Sequence, residues 1–354
     1  MKGWIDLKKG LFFSILFSCS LIIAACGQET SLVSTAKNQT SGDETEELKP
    51  VTISIGHVGS EGELATIGTA YFKEKVEEKT DGKVTVDIYP SSQLGGDRDL
   101  IESVSIGSVK MGAISLGTFS NVTSAFLAFE LPFLIQDGDE AFQLYESELI
   151  SETAMKELEK YNMKGLGFIS TGFFQFGGNK PIASLEDMKG LKIRASESNT
   201  ILESFHYLGM APMSMPYSEM YNGLSTGIID AGALQTATWY NSFSESVDHI
   251  SFVDVFPWAH LLVINLDEFN SYPDVYQEAL TEAGQETQEY IYQYEKETLQ
   301  ENIQLLEDET DIQLTKDVDK EAFIEEMQPI YKQYANEYPF VKETIETLEE
   351  IRND

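Results

Sequence analysis

Arg194 is the residue of this chain whose type and position best suit the binding of a charged small molecule. It is one of three arginines, with Arg98 and Arg352. It directly follows residues 190–193, where alternating apolar side chains predict a short strand. Ligands of open α/β sheets lie beyond the carboxyl ends of strands, and a forked, permanently charged guanidinium suits a planar carboxylate. These residues alone leave two interpretations, an anion-binding arginine or a surface arginine that closes a strand.

A second candidate for chemistry is Gly223-Leu-Ser225-Thr-Gly227, which matches the G-x-S-x-G pattern of a nucleophile elbow. An elbow needs a strand before the serine and a helix after it. Here a predicted helix precedes Ser225 and a predicted strand follows it, so the pattern favours the C-terminus of a helix. A secreted serine hydrolase that uses Ser225 stays as an alternative function.

Other enzyme and metal-site motifs are absent from the sequence, which contains no H-E-x-x-H, no C-x-x-C and no Walker loop. The four histidines are scattered and lack metal-ligand spacing; they are His57, His206, His249 and His260. We therefore predict no catalytic residue, no metal ligand and no cofactor.

The charge balance restricts the possible partners. The 354 residues include 24 Lys plus Arg against 59 Asp plus Glu, a formal net charge of −35. Nucleic acid is excluded as a partner because its phosphates repel so acidic a chain. An anionic small molecule needs a site that is locally positive. The length is typical of two lobes of ordinary size.

The N-terminal sequence predicts export and lipid anchoring. Lys8 and Lys9 precede an apolar run over residues 11–23, which is typical of a secretory signal and too short for a membrane span. The run leads to Ala24-Ala25-Cys26, which resembles the lipobox of a bacterial lipoprotein, where cleavage before the cysteine leaves a thiol that carries a diacylglyceryl group. Cleavage of an ordinary signal peptide nearby is the alternative.

We therefore predict a signal peptide over residues 1–25 and a flexible, polar tether over residues 26–50 that starts at lipidated Cys26. No later segment has 18 consecutive apolar residues. We expect the rest of the chain to lie outside the cytoplasm, anchored to the cell membrane through the lipid.

The remaining chain alternates strand and helix patterns. The predicted elements are strands over residues 51–56, 83–89 and 110–116, helices over 64–79 and 140–161, and a long helical stretch from 272 to about 307. The first three strands with their intervening helices predict two successive parallel βαβ units. The long helical stretch would extend roughly 45 Å, enough to lie across two lobes.

Several passages in combination carry a resemblance to a known family. They are Tyr89–Arg98 (YPSSQLGGDR), Glu102–Gly107, Glu130–Phe133 (ELPF), Asp187–Arg194 (DMKGLKIR), Gly209–Met215 and Tyr217–Asp230 (YSEMYNGLSTGIID). Over about residues 51 to 340 the chain resembles the extracytoplasmic solute-binding proteins of tripartite ATP-independent periplasmic (TRAP) transporters, the dicarboxylate-type family.

The resemblance implies a two-lobed, periplasmic-binding-protein-like α/β fold, with mixed sheets flanked by helices, hinge strands and a long lobe-spanning helix. We place lobe 1 at residues 51–171 plus about 261–299, and lobe 2 at 172–260 plus about 300–354. The implied function is a monomeric receptor, not an enzyme. It captures a carboxylate-containing small molecule, such as a sugar acid, a dicarboxylate or another organic acid, and delivers it to the membrane subunits of a TRAP permease. A subunit that presents the ligand to a sensor stays as an alternative.

The resemblance also assigns site residues. Arg194 matches the family's arginine that forms a bidentate pair with the ligand carboxylate. Phe173-Phe174 stands where many members carry a second arginine, so we expect a ligand with one carboxylate, whose remainder is less charged or stacks on Phe174, Trp239 or Trp258. Matching by position places further residues around the cleft: His57, Val58, Ser115, Gln235, Trp258 and His260. For Arg98, at a predicted helix start, we expect a structural role.

Overall fold

Ten strands occur in residues 48–353, which the computed structural model of this chain describes. In chain order they are β1 (Val51–Gly56), β2 (Val84–Tyr89), β3 (Met111–Ser115), β4 (Met163–Gly178), β5 (Lys192–Ala195), β6 (Ala211–Ser214), β7 (Ala231–Gln235), β8 (His249–Ser251), β9 (Pro257–Asn265) and β10 (Gln313–Thr315). The predicted signal peptide, Cys26 and the predicted tether up to residue 47 lie outside the described residues.

Twelve α-helices occur in the same range. They are α1 (Leu64–Lys79), α2 (Asp97–Ser105), α3 (Gly138–Glu146), α4 (Met155–Glu157), α5 (Leu185–Met188), α6 (Asn199–Tyr207), α7 (Tyr217–Ser225), α8 (Thr236–Phe243), α9 (Leu266–Ser271), α10 (Asp274–Glu309), α11 (Lys320–Glu337) and α12 (Pro339–Ile351). Short 3₁₀ segments cover Leu116–Asn121, Ser124–Glu130 and Leu158–Tyr161, and a π-helical turn covers Leu149–Ala154. None of the helices in this part of the chain combines the length and the apolar character needed to cross a membrane.

The strands form two sheets that share β4. In the first sheet the order is β2-β1-β3-β9-β4, with β1 parallel to β2 and β3, and β9 antiparallel to β3 and β4. In the second sheet β4 is antiparallel to β7 and β8, β5 is parallel to β6 and β7, and β10 is parallel to β8. The parallel pairing of β1 with both β2 and β3 confirms the two predicted βαβ units.

The alternation of residues along β1 builds the core of the first sheet. Ile53 and Ile55 are fully buried, whereas Thr52 before them is exposed and Ser54 between them is half-buried. Phe72 and Val76 lie one turn apart on α1 and are also fully buried. Burial of a side chain of this size contributes about 1.5–3 kcal/mol. The sheet and helix therefore hold the loop between β1 and α1 at the end of the sheet.

Strand β4 passes from the first sheet to the second within a few residues. It pairs with β9 as far as Phe173 and with β7 from Phe174 onwards, with an irregular register after Ser170. Gly172 has a φ of +78°, which strains any other residue type, and a Cβ there would lie 2.5 Å from Glu295 Oε1. The switch lies close to the predicted lobe boundary at 171/172; the exact lobe boundaries stay a prediction.

Helix α10 is the long element that connects the regions of both sheets. Its 36 residues extend about 54 Å at 1.5 Å per residue, and the helix begins and ends about two residues later than the predicted stretch. It packs directly on β4 at Gly284, where a Cβ would lie 2.3 Å from the Leu166 carbonyl oxygen. Only glycine permits this approach of helix to strand.

Side chains on two different helices fix α10 along its length. Tyr290 of α10 stacks on Tyr71 of α1, with ring centroids 3.9 Å apart. Near the other end of α10, Tyr240 of α8 donates a hydrogen bond to Glu309 (2.5 Å). Because α1 packs on the first sheet and α8 follows β7 of the second, α10 spans both lobes, as predicted.

Candidate functional site

Strand register gathers distant residues around one cavity between the two sheets. Ser115 on β3 pairs with His260 on β9, and Phe174 on β4 pairs with Gln235 on β7. All four line the cavity together with Arg194 on β5. The cavity has a volume of about 60 Å³. The cavity therefore suits a small solute.

Seven of the eight residues that the sequence analysis placed at the site line this cavity. They are Val58, Ser115, Phe174, Arg194, Gln235, Trp258 and His260. The eighth, His57, is not on the cavity surface. Its side chain is completely buried, and its ring Nε2 lies 3.3 Å from Thr69 Oγ1. Ligand contact by the seven stays a prediction.

Arg194 lies near the carboxyl end of β5, where its side chain is only 7% exposed. The interpretation of a surface arginine is therefore wrong. Its Nε donates to the Met215 carbonyl oxygen (3.0 Å), and the described arginine ion pairs involve Arg98 and Arg352 instead. Burial lowers the pKa of Arg194 to about 10, so the guanidinium is still charged at neutral pH. The hydrogen bonds and ion pairs of the described residues give its two terminal nitrogens no partner.

Two aromatic side chains form an apolar wall of the cavity. Phe174 and Trp258 stack on each other, with ring centroids 4.6 Å apart and an interplanar angle of 25°. Trp239, the third aromatic residue expected to meet the ligand, is instead a core residue. It is fully buried, and its indole Nε1 donates to the Gln175 carbonyl oxygen (2.9 Å). The available stacking surface is thus that of Phe174 and Trp258.

The two buried histidines near the cavity are neutral. Burial lowers the pKa of His260 to about 4, and burial together with the nearby His260 lowers the pKa of His57 to about 4. The Nδ1 atom of His260 is buried and has no hydrogen-bond partner among the described residues. Buried polar atoms in proteins are almost always paired. His260 therefore lines the cavity as a neutral imidazole that adds no positive charge to the site.

Gln235 is held in place by two threonines. Its Nε2 donates to Thr171 Oγ1 (2.5 Å), and Thr238 Oγ1 donates to its Oε1 (3.2 Å). Thr171 Oγ1 in turn donates to the Trp258 carbonyl oxygen (3.0 Å). This chain of hydrogen bonds connects the two sheets at the base of the cavity and fixes the amide orientation of Gln235.

The cavity is closed on one side by contacts across the cleft, which the sequence analysis did not identify. Glu63 precedes α1, and its Oε1 accepts hydrogen bonds from Tyr217 Oη and Ser242 Oγ, each at 2.6 Å. Asn241 Nδ2 donates to the Gly62 carbonyl oxygen (3.3 Å). These contacts join the loop before α1 to α7 and α8, so they hold the lobes together over the cavity.

Asp97 is a further lining residue that the sequence analysis missed, because its place after a turn indicated only a helix start. It is the first residue of α2, is partly exposed to the cavity and accepts a hydrogen bond at Oδ1 from the Ser115 N–H (3.1 Å). Burial raises the pKa of its carboxyl group, and the nearby charge of Arg194 opposes the rise. No sequence signal connects residues 97 and 115.

Ser225 lies away from any catalytic arrangement. It is the exposed last residue of α7, and Gly227 after it has a φ of +71°, as expected for a helix C-terminus and not for an elbow. The side-chain hydrogen bonds of residues 48–353 include none between Ser225 and a histidine. The same part of the chain has no cluster of three or more His, Cys, Asp or Glu side chains that would hold a metal ion.

Comparison with known families identifies the chain. Residues 55–337 match the family model DctP, described as bacterial extracellular solute-binding protein, family 7. The chain belongs to this family. Family 7 proteins are extracellular solute receptors by that description, which agrees with the function implied by the sequence motifs.

Two curated relatives of this family 7 protein share one name. It is 32% identical over 196 residues to the C4-dicarboxylate-binding periplasmic protein DctP of Vibrio cholerae, a match that covers 55% of this chain and only 58% of that protein. It is 27% identical over 262 residues to the protein of the same name from Rhodobacter capsulatus, covering 73% of this chain and 78% of that one.

Solved structures of TRAP periplasmic solute-binding proteins share the fold of this family 7 chain. One from Shewanella oneidensis with bound succinate has a TM-score of 0.79 and 27% identity, and the match covers 84% of this chain and 98% of that one. One from Polaromonas bound to D-erythronate has a TM-score of 0.80 at 23% identity, with the same coverage. The predicted two-lobed α/β fold is thereby confirmed.

Proposed function

We propose that this protein captures a small carboxylate-bearing solute outside the cytoplasm and delivers it to the membrane permease of a TRAP transporter. The observation that carries the proposal is Arg194, a buried guanidinium that has no carboxylate partner among residues 48–353 and lies in a cavity between two lobes. A buried charge is costly unless it is paired. The relatives named for C4-dicarboxylates and the structures with bound succinate or D-erythronate support an anionic partner.

The proposed mechanism uses strand β4, which both sheets share, and the hydrogen bonds of Glu63 across the cleft. A solute carboxylate that pairs with Arg194 on one lobe and touches Ser115 or His260 on the other bridges both lobes. Binding then shifts the population towards the closed arrangement that Glu63 stabilises through Tyr217 and Ser242. The permease would receive the solute when the lobes separate. A sensor that reads the closed form is the second candidate, and a permease gene beside this one would favour transport.

A thermal-shift screen of the purified protein against sugar acids, hydroxy acids, keto acids and aromatic acids tests the proposal. We expect at least one acid to raise the melting temperature, since a ligand at 100 times its Kd stabilises the folded state by about 2.7 kcal/mol. The matched control is the uncharged analogue of each hit, such as sorbitol for gluconate. Equal shifts with acid and neutral analogue, or no shift with any acid, would contradict a carboxylate receptor.

We further propose that the mature chain is a monomer tethered to the cell membrane by a lipid on Cys26. The sequence Ala24-Ala25-Cys26 supports the modification, and two acyl chains give stable anchoring where one does not. In a bacterial host fed an alkyne-labelled fatty acid, we expect the wild-type protein to carry the label. We also expect the wild-type protein to be found in the membrane fraction. Cys26→Ser should lose the label and release the protein. Labelling that survives Cys26→Ser would contradict the assignment.

A further inference from the structure

A second cavity adjoins the cavity of Arg194, at the place where β4 changes sheets. It has a volume of about 230 Å³, and Thr171 lines both cavities. We call it the hinge cavity; its walls include residues 170–173 of β4, Asp254 from the segment between β8 and β9, and Glu295 of α10. These walls come from both predicted lobes. A rotation of the lobes about β4 therefore changes the shape of the hinge cavity.

The Glu295 carboxyl group lies directly against the hinge backbone. A Cβ on Gly172 would lie 2.5 Å from Glu295 Oε1 and 3.0 Å from its carboxyl carbon. Gly172 is the first residue of predicted lobe 2, and the register of β4 is irregular between Ser170 and Phe173. Separation of hinged lobes changes the backbone angles of such a segment. It therefore changes the surroundings of the Glu295 carboxyl group as well.

The charge of an ionised Glu295 is not compensated by the described residues. Among the hydrogen bonds and ion pairs of residues 48–353, none involves its carboxyl oxygens. The lysines of this region pair with other carboxylates, Lys296 with Asp139 (2.7 Å) and Lys320 with Asp254. A carboxylate that is mostly buried and unpaired is unstable relative to its protonated form.

The other titratable groups around Glu295 do not offset its charge. Asp254 and Asp137, the N-cap of α3, line the hinge cavity with it. Tyr292, one turn earlier on α10, donates its hydroxyl hydrogen to another carboxylate. Burial and the charge of Asp254 raise the pKa of Glu295 to about 7, and the charge of Lys296 only partly opposes the rise. The closed protein thus holds Glu295 about half protonated at neutral pH.

We propose that Glu295 is a proton-sensitive element of the hinge: its protonated side chain favours the closed arrangement of the lobes, and its ionised form favours the open one. In the closed protein the carboxylate is desolvated and faces Asp254, whereas a neutral carboxyl group bears neither cost. Opening of the hinge cavity admits water to the group. Solute affinity is therefore coupled to pH through a residue outside the cavity of Arg194. The inference rests on the proposed function, because it assumes that closure captures a solute.

The closed arrangement binds the Glu295 proton more tightly than the open one, and this sets the direction of the pH dependence. A hydrated Glu295 in the open protein has a pKa near its ordinary value of 4.5. Below that pH both arrangements bind the proton, and above about pH 7 neither does, so the affinity is level in both ranges. Between these values only the closed arrangement binds it. Solute binding then takes up a proton, and the affinity falls as the pH rises.

Calorimetry with the acid found in the thermal-shift screen measures the coupling at pH 5.5, 6.5 and 7.5. We expect the wild-type Kd at pH 7.5 to be about tenfold above its value at pH 5.5. Titrations at pH 6 in buffers of different ionisation enthalpy count the protons, and we expect an uptake of about 0.5–1 proton per solute. Glu295→Gln stays neutral, so it should keep the tight binding of the low-pH wild type throughout and lose this proton uptake.

Two further variants separate the charge at the hinge from other effects of substitution. Glu297→Gln removes an exposed carboxylate of the same helix and should follow the wild type. Asp254→Asn tolerates the φ of 53° at this position and keeps a side-chain oxygen for Gln175. Because it removes the like charge beside Glu295, it should shift the fall in affinity to lower pH. Melting curves without ligand check that all three variants are folded.

The possible outcomes distinguish this inference from the function on which it rests. A wild-type Kd that is constant from pH 5.5 to 7.5, or a folded Glu295→Gln protein with the wild-type pH dependence, overturns the role of Glu295 and leaves a carboxylate receptor standing. Absence of binding by every acid of the screen at all three pH values overturns the receptor function, and the role of Glu295 with it.

Discussion

Replacing Arg194 by methionine is expected to abolish tight binding of the carboxylate solute and to leave the ligand-free protein at least as stable as the wild type. Truncating one partner of a buried, hydrogen-bonded charge pair costs about 2–5 kcal/mol, which corresponds to a roughly thirty- to several-thousand-fold rise in Kd. Without ligand, the guanidinium is a desolvated charge with one hydrogen bond to the described residues, from Nε to the Met215 carbonyl oxygen. Removing it relieves that desolvation cost.

Isothermal titration with the acid found in the screen, together with chemical denaturation of the ligand-free protein, measures both effects. Arg98→Met is the matched control, because the Arg98 side chain is 62% exposed and is not on the cavity wall; its Kd should equal that of the wild type. Arg194→Lys keeps the charge without the planar fork and should lose about tenfold in affinity. An Arg194→Met protein with wild-type Kd would remove Arg194 from the site.

The second large effect concerns Glu130, a buried carboxyl group beside the cavity wall. It is 1% exposed, its Oε2 accepts a hydrogen bond from Ser198 Oγ (2.7 Å), and its Oε1 has no partner among the described residues. Burial raises the pKa of Glu130 to about 8, and hydrogen bonds with Ser198, Ser120 and Thr200 only partly oppose this rise. At neutral pH the folded protein therefore holds a proton on Glu130 that the unfolded chain has released.

This difference makes Glu130 a pH-dependent cost to folding. Below the unfolded pKa of 4.5 both states bind the proton, and the group has no effect on the free energy of unfolding. As the pH rises from there to about 8, only the folded state binds it, so stability falls by about 1.4 kcal/mol per pH unit. Glu130→Gln cannot ionise and lacks this loss. We expect it to gain on the order of 3 kcal/mol over the wild type between pH 5 and pH 8.

Urea denaturation at pH 5, 6.5 and 8 measures the gain as a difference between variant and wild type, so that other titrating groups cancel. Glu325→Gln, an exposed change on α11, is the control and should follow the wild-type pH dependence. Parallel pH profiles for Glu130→Gln and the wild type would show that Glu130 is ionised in the folded state.

The sequence predicted the first βαβ unit almost to the residue, because local signals mark each boundary. Asp81 and Gly82, which end α1 and start the turn to β2, both have positive φ angles, 50° and 72°. The predicted helix over residues 140–161 was wrong. The chain leaves helical geometry at Ser147, with ψ at 148°, and resumes in a π-helical turn. Ile150, Ala154 and Leu158 are all buried at a spacing of four, so the apolar pattern hides the break.

Strand ends and family motifs predicted part of the site. The contacts that depend on tertiary packing could not be predicted from the sequence. Arg194 follows from an alternating strand with a cation at its end. The contact between Asp97 and Ser115 depends on how α2 packs beside β3, which no local pattern reveals. Of two tryptophans that sequence could not distinguish, strand β9 places Trp258 on the cavity wall, whereas α8 turns Trp239 into the core.

The contacts of Glu63 suggest that the affinity for a solute and the rate of its release depend on different residues. Both of its hydrogen bonds join the two sides of the cleft, and neither Tyr217 nor Ser242 is needed to pair with the solute carboxylate. On the proposed function, both bonds must break before a bound solute leaves the closed cleft, so we expect these side chains to influence its residence time. A permease that pulls α7 away from the start of α1 would shorten that time without competing for Arg194. On the proposed function, we expect capture and hand-over to depend on different residues of the same small cavity.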